Sequence, residues 1–172
     1  LNTTSTRRAN SIAFDIREAG RLKRKGNPLT GEAVKDSKGN PVRIPGKLKA
    51  VKGIGWYIEE YGIAQISYNL TNISITPVHI AFDETCASAI SKGIRVTGSE
   101  LVGLIPLKAM LDAADYFLEK QNRSLGISEG EKIKIAVKSL GLDDLAPFDP
   151  NKKIIEYMLN DISAKKLVDM DL

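Results

Sequence analysis

Residues 47–70 read KLKAVKGIGWYIEEYGIAQISYNL, and their side chains alternate in two runs. In the first run Ile54, Trp56 and Ile58 fall on one face of an extended chain, and Glu60-Tyr61-Gly62 then offers a turn. The second run has the same period of two, with apolar Ala64, Ile66, Tyr68 and Leu70 between polar Gln65, Ser67 and Asn69. We therefore predict two strands paired as an antiparallel hairpin.

A helix and a basic loop are predicted before this hairpin. Apolar residues recur at helical spacing in residues 6–19, with a serine or threonine available as the cap and Gly20 as the stop. On that helix Arg7, Arg8, Asp15 and Arg17 are expected to face water. Residues 21–46 are rich in Gly, Pro and Lys, a composition expected to form a long loop without an ordered core.

Helices and one strand are predicted after the hairpin. Thr76-Pro77 is typical of a capped helix start and Gly93 of its end, and residues 94–97 indicate a short strand. Three more helices are expected to begin near Pro106, at the capping box Ser128-Glu129-Gly130-Glu131, and at Asp149-Pro150. This order predicts an α+β fold with two layers: an open mixed or antiparallel sheet of ferredoxin-like arrangement, with helices on one face.

The bulk composition favours one soluble domain. The chain has 172 residues, of which 42% are hydrophobic, and no apolar run approaches the ~18 residues of a membrane span. No secretory signal pattern is seen, so we expect a cytoplasmic protein without a membrane partner. The single cysteine, Cys86, excludes an internal disulfide and a multi-cysteine metal cluster, and we predict no metal. The net charge is +4, and the excess of basic residues is confined to one segment, since residues 17–52 hold 11 Lys or Arg against 3 Asp or Glu.

The start of the first strand is the best candidate for a ligand site. Lysines supply point charges for carboxylates, glycines let a backbone approach closely, and an indole face stacks on a planar heterocycle. The alternative is a solvated strand edge with a core tryptophan. The candidate residues of this segment are Lys47, Lys49, Lys52, Gly53, Ile54, Gly55 and Trp56.

Two further groups of polar residues are candidates. Gln65, Ser67 and Asn69 line one face of the second strand with amides and a hydroxyl, although an outward polar face is the commoner explanation. Gly98-Ser99-Glu100 lies where a strand is predicted to end, so Glu100 is a candidate for contact with a cationic or hydrogen-bonding substrate group.

His79 is the only histidine and Cys86 the only cysteine of the chain. We predict a helix-surface or packing role for His79, which lies in the first turn of a predicted helix. Cys86 has no histidine at i+3 or i+4, so we predict a packing thiol and not a nucleophile.

Several longer segments resemble the C-terminal subdomain of the glutamate formiminotransferase family. They follow one another in the order of that family and cover nearly the whole chain. The segments are AFDIRE at 13–18, KGIGWY at 52–57, AQIS at 64–67 with Asn69-Leu70, VTGSELVGLIPLKA at 96–109, and APFDP at 146–150 with IIEY at 154–157.

The resemblance implies transfer of a formimino group between N-formimino-L-glutamate and tetrahydrofolate, in histidine degradation. Folate would then be a substrate, held in a tunnel between two subdomains, and a formyl-transferring relative is the alternative. The family's catalytic histidine belongs to the N-terminal subdomain, so no catalytic residue is predicted in this chain and His79 is not given that role. The chain begins at Leu1 rather than Met, and we expect it to be a fragment that is inactive alone.

The resemblance also implies ranges and partners. Residues 1–46 would be a helix and basic linker, 47–160 the C-terminal subdomain, and 161–172 a tail. The partners would be the N-terminal subdomain and, in the full protein, a second copy as a homodimer. The insertion around residues 27–45 is longer than in the vertebrate-type pattern, and no cyclodeaminase domain is recognised in the chain.

Two other hypotheses remain open at this point. Residues 21–52 could be a basic arm that binds RNA, with Trp56 and Tyr68 stacking on bases, although we predict no nucleic acid partner. The free sheet face could instead pair with a second copy and hold no ligand.

Overall fold

A computed structural model describes residues 1–27 and 30–160, and confirms the α+β class. Pro28 and the predicted tail at 161–172 lie outside the described residues. The described residues divide into two compact units, one within residues 1–96 and the other within residues 97–160. The elements in chain order are α1 Thr6–Ile16, β1 Arg21–Leu22, β2 Arg43–Ile44, β3 Val51–Ile58, β4 Ile63–Leu70, α2 Val78–Ile90, α3 Leu107–Lys120, α4 Glu129–Leu140 and α5 Pro150–Lys153.

The predicted hairpin is confirmed by β3 and β4. These strands pair antiparallel in one unbroken register, from Val51 opposite Leu70 to Ile58 opposite Ile63. Gly62 has a φ of +63° in the turn, a conformation that glycine adopts without a steric penalty. Within the described residues the strands form two separate two-stranded sheets, β1 with β2 and β3 with β4.

Helix α1 covers one face of the hairpin, as predicted. Ser5 caps it by accepting a hydrogen bond from the Arg8 N–H, and its apolar stripe is fully buried. Each buried isoleucine contributes about 1.5–3 kcal/mol relative to exposure. The stripe consists of Ala9, Ile12, Ala13 and Ile16.

Residues 1–3 run along the outer edge of β4. The Leu1 nitrogen donates to the Ala64 carbonyl at 3.1 Å, and the Ala64 N–H donates to Thr3 at 2.7 Å. The strand predicted at 94–97 does not form. The Arg95 carbonyl accepts from the Asn2 N–H, but the Arg95 N–H donates to the Asn2 side chain, so no ladder of backbone bonds continues.

The predicted unordered loop at 21–46 is instead a paired ribbon over its described residues. β1 pairs with β2, and isolated bridges join Arg24 to Ala33 and Lys35 to Pro41. Backbone bonds of 2.8 Å run from the Lys23 N–H to Val42 and from the Val42 N–H to Val34. The expectation of disorder was wrong because backbone pairing orders this segment without a large apolar core. We call residues 21–27 and 30–46 the ribbon.

Helix α2 packs on the same side of the hairpin as α1. Its Thr85 Oγ1 lies 3.0 Å from the hydroxyl of Tyr68, whose side chain is on the covered face. The predicted cap is wrong, because the Thr76 hydroxyl donates to the Lys49 carbonyl at 2.7 Å and does not cap the helix. Thr76 therefore fastens the start of α2 to the segment that leads into β3.

The second unit is helical. Ser128 Oγ accepts from the Glu131 N–H at the start of α4, as predicted, and Gly141 ends that helix in the left-handed conformation. The last predicted helix breaks at Ile154, which forms a parallel bridge with Ile105. No helix of the described ranges is long and apolar enough to cross a membrane.

Candidate functional site

Six of the predicted site residues form three adjacent cross-strand pairs on the hairpin. Lys52 lies opposite Asn69, Ile54 opposite Ser67, and Trp56 opposite Gln65. Because side chains alternate along a strand, all six project from one face, the side away from α1. We call this surface the hairpin face, made of Lys52, Ile54, Trp56, Gln65, Ser67 and Asn69.

The hairpin face is apolar at its centre and open. Ile54 is 54% exposed and Trp56 is 50% exposed, so the alternative of a core tryptophan is contradicted. The Gln65 amide stands directly across from the indole and brings hydrogen-bonding groups beside it. This combination suits a flat ligand with polar edges.

Gly53 and Gly55 lie on the opposite, helix-covered side of β3. A Cβ on Gly55 would come within 2.5 Å of the Asn10 backbone nitrogen and 2.6 Å of the Ala9 carbonyl carbon. The Asn10 side chain holds both polar groups of Gly55, accepting from its N–H at 3.1 Å and donating to its carbonyl at 2.7 Å. The glycines therefore admit α1 to the strand, and the Gly55 N–H is already bonded.

The three lysines differ in their surroundings. Lys47 pairs with Glu84 at 2.8 Å, and Lys49 lies 3.8 Å from Glu18. Lys52 makes no ion pair within the residues that the structure describes. Of the three, Lys52 is also the one whose position in the register puts it on the hairpin face.

Asp15 was expected to face water, but it joins α1 to other elements. Its carboxylate pairs with Arg21 and with Lys92, and accepts from the Ser88 hydroxyl at 2.9 Å. The pKa of Lys92 is lowered by burial and then by the charges of Arg21 and Lys47. Sequence reasoning missed this cluster because Lys92 is 77 residues away from Asp15.

Gly98, Ser99 and Glu100 belong to the second unit and form a separate group. The Ser99 hydroxyl donates to the Leu140 carbonyl at 2.6 Å, and its N–H donates to Gly141 at 2.9 Å. Gly98 packs so closely on Asp144 that a Cβ would lie 2.3 Å from that side chain. Glu100 is exposed. Gly98 and Ser99 thus dock the segment on the end of α4.

The remaining candidates lie among the helices. His79 is buried at 7% exposure, in agreement with the packing role predicted for it. Cys86 is half-buried. Burial also raises the pKa of the Tyr68 phenol well above its usual range, so Tyr68 is a neutral packing residue at physiological pH.

Comparison with known proteins identifies relatives of this chain. The chain is 43% identical over 160 residues to the formimidoyltransferase-cyclodeaminase of Sus scrofa, an alignment that covers 92% of this chain and 26% of that protein. It is 42% identical over 153 residues to the protein of the same name from Dictyostelium discoideum, covering 89% of this chain and 25% of that protein.

A shorter alignment relates the chain to a protein named as a transferase without a cyclodeaminase in its name. The glutamate formimidoyltransferase of Streptococcus pyogenes serotype M1 is 36% identical over 77 residues, covering 45% of this chain and 26% of that protein. This chain spans about a quarter of the length of the relatives it matches. The family model described as the formiminotransferase domain matches residues 1–160. The chain therefore belongs to the formiminotransferase domain family.

Proposed function

We propose that this chain is the folate-contacting C-terminal half of a glutamate formimidoyltransferase. The observation that carries the proposal is the hairpin face, where an exposed indole stands beside amide and hydroxyl groups and one lysine. The relatives named formimidoyltransferase support the reaction class. The reaction would move a formimino group from N-formimino-L-glutamate to tetrahydrofolate, in histidine degradation.

The spacing along β3 suits a ligand of this shape. Lys52 and Trp56 are on the same face and four residues apart, a separation of about 13 Å at the rise of an extended strand. Folate has a flat pterin at one end and glutamate carboxylates at the other, joined by an aminobenzoyl group. Trp56 would stack on the pterin, Gln65 would meet its polar edge, and Lys52 would attract the carboxylates.

The chemistry assigned to this half is binding and orientation. A folate ring nitrogen attacks the amidine carbon of formiminoglutamate, and the tetrahedral intermediate needs a proton donor and acceptor. In this proposal a histidine of a preceding subdomain performs the proton transfer, and the half described here is inactive alone. Holding the two reactants in register contributes several kcal/mol, on the order of 7–11 in well-oriented cases.

The proposal includes partners and a compartment. The preceding subdomain would cover the hairpin face, and the full protein would act in the cytoplasm as a homodimer. A formyl group in place of the formimino group would need the same folate position, so a glutamate formyltransferase is the closest variant of this function.

The test is a calorimetric titration of the chain with a stable reduced folate, 5-formyltetrahydrofolate. We expect saturable binding that weakens about tenfold in Trp56→Leu, because stacking on an aromatic contributes about 1–3 kcal/mol. Lys52→Gln should weaken it by several-fold and shift the response to salt.

Matched controls are Tyr61→Leu, an exposed aromatic in the hairpin turn, and Lys134→Gln, an exposed lysine of α4. Neither should change binding by more than about twofold. Equal losses in Tyr61→Leu and Trp56→Leu, or a chain that binds no reduced folate, would defeat the proposal. Sedimentation with and without folate separates it from self-association through the hairpin face.

A further inference from the structure

A second candidate site lies in the first unit, between α1 and the ribbon. A cavity of about 330 Å³ opens between this helix and the ribbon. Its α1 residues follow helical spacing and lie outside the buried stripe of that helix. The lining consists of Arg7, Asn10, Ser11, Phe14 and Arg17 from the helix and its C-cap, and Arg21, Leu22, Arg24 and Arg43 from the ribbon.

The basic residues that line this cavity are arginines and not lysines. The ribbon segment, residues 21–46, has three arginines and four lysines. All three arginines line the cavity, and none of the lysines does. A general basic surface would use both residue types, whereas the planar guanidinium matches the paired oxygens of an oxyanion.

Four of the five guanidinium groups that line the cavity donate to backbone carbonyls, among them that of Arg21, which donates to Ser11 at 3.1 Å. Arg17 donates to Gly20 and Gly53 at 3.0 and 3.1 Å, Arg24 donates to Gly31 at 2.7 Å, and Arg43 donates to the Ala19 carbonyl. Since a guanidinium has five N–H donors, each group keeps donors beyond those used here.

Phe14 fixes one of these groups further. Its ring centroid lies 4.0 Å from the Arg17 guanidinium carbon, an arrangement that stacks the cation on the aromatic face. The site is thus built before a ligand arrives, which lowers the entropy lost on binding.

The positive charge around the cavity favours an anion that carries more than one negative charge. Among the described residues only Arg21 of the five arginines is paired with a carboxylate, that of Asp15. Burial and the nearby charge of Arg43 both lower the pKa of Arg17, as expected where like charges are brought together. A single carboxylate offsets one charge, whereas each phosphate group brings about −1.5 to −2 at neutral pH.

We propose that the cavity between α1 and the ribbon is a binding site for a small phosphate-bearing anion of diphosphate size. The site is separate from the hairpin face, because Asn10 and Arg17 meet β3 from the helix-covered side while Ile54 and Trp56 project from the other. It therefore does not depend on the folate proposal.

The experiment is calorimetry of the full chain with diphosphate, orthophosphate and citrate as probes, at low and at near-physiological salt. We expect saturable diphosphate binding that is tighter than citrate binding and persists at the higher salt. Arg24→Gln and Arg43→Gln should each weaken it by about tenfold, as for loss of a charged hydrogen bond.

Charge-matched controls distinguish a built site from general attraction. Arg8→Gln removes an exposed α1 arginine outside the cavity, and Lys38→Gln removes an exposed lysine of the ribbon. Both should change binding by less than about twofold. Circular dichroism checks folding, and Arg7→Gln, at an exposed position, replaces any ribbon variant that unfolds.

Three results would overturn the proposal: no saturable diphosphate binding, citrate binding as tight as diphosphate binding, or equal losses in the controls and the cavity variants. Trp56→Leu should leave diphosphate binding unchanged. The diphosphate titrations therefore test this proposal alone, and the folate titrations test the other.

Discussion

Replacing Gly55 by alanine should unfold the first unit at markedly lower denaturant, because the glycine is the point where α1 meets β3. The added Cβ would lie 2.5 Å from the Asn10 nitrogen and 2.6 Å from two atoms of Ala9. Carbon contacts are optimal at about 3.5–4.0 Å, so the helix must retreat by about 1 Å. Two of these three atoms belong to the helix backbone, so they cannot move away by a change of side-chain rotamer.

The cost has two parts. Overpacking of this kind costs about 1–3 kcal/mol. A helix displaced by about 1 Å also loses the two hydrogen bonds between Asn10 and Gly55, at about 1 kcal/mol each. We expect a total loss of about 3–5 kcal/mol, a large share of the about 5–15 kcal/mol that stabilises a typical domain.

Urea denaturation followed by the fluorescence of Trp56 is a suitable assay, since this single tryptophan lies in the first unit. Gly53→Ala should cost less, about 1–2 kcal/mol, because its Cβ would meet ring carbons of the Tyr68 side chain and no backbone atom that close. Gly130→Ala, in open space within α4, should stabilise the second unit by about 0.5–1 kcal/mol in circular dichroism. A loss in Gly55→Ala no larger than in Gly53→Ala would refute the close seating of α1.

Three other outcomes are expected. The hydrogen bond to Glu129 raises the pKa of Tyr157 to about 12. The stabilisation that this bond gives the fold is therefore full below the unfolded pKa of about 10 and is lost as the pH rises through about 12. In Glu129→Ala an ultraviolet titration should show the pKa of Tyr157 returning toward about 10, and an unchanged pKa would contradict the contact. Asp15→Asn should destabilise the first unit by about 2–3 kcal/mol in urea, because Lys92 then loses its carboxylate, and a loss under about 0.5 kcal/mol would argue against the cluster. Thr76→Val should lower the free energy of unfolding by about 1 kcal/mol, because it removes the hydrogen bond to the Lys49 carbonyl. A loss of helical circular dichroism from α2 alone, as expected for loss of a helix cap, would contradict that role.

The hairpin could be predicted from sequence because its signal is local. Alternation at Ile54 and Trp56, and again at Gln65 and Ser67, fixes which residues share a face, and the register then follows from the short turn at Gly62. The exposure of Trp56 does not follow from the sequence, because a period of two does not say which face a helix covers.

The order of the ribbon and the ion pairs of Asp15 could not be predicted, for different reasons. The ribbon is held by backbone bonds, such as that from Lys23 to Val42, and composition carries no record of such pairing. Asp15 depends on Ser88 and Lys92, residues more than 70 positions away, and helical spacing cannot reveal partners at that distance.

The covered and the open faces of β3 have one common origin. Gly53 and Gly55 let α1 approach the strand, and because side chains alternate, the bulky Ile54 and Trp56 must then fall on the other side. An isolated domain gains nothing from exposing about half of each of these side chains to water. Covering what remains exposed of Ile54 and Trp56 with a flat ligand or a second subdomain would contribute about 1 kcal/mol or more for each. The glycine spacing that seats the helix is therefore also what keeps an apolar surface available for binding.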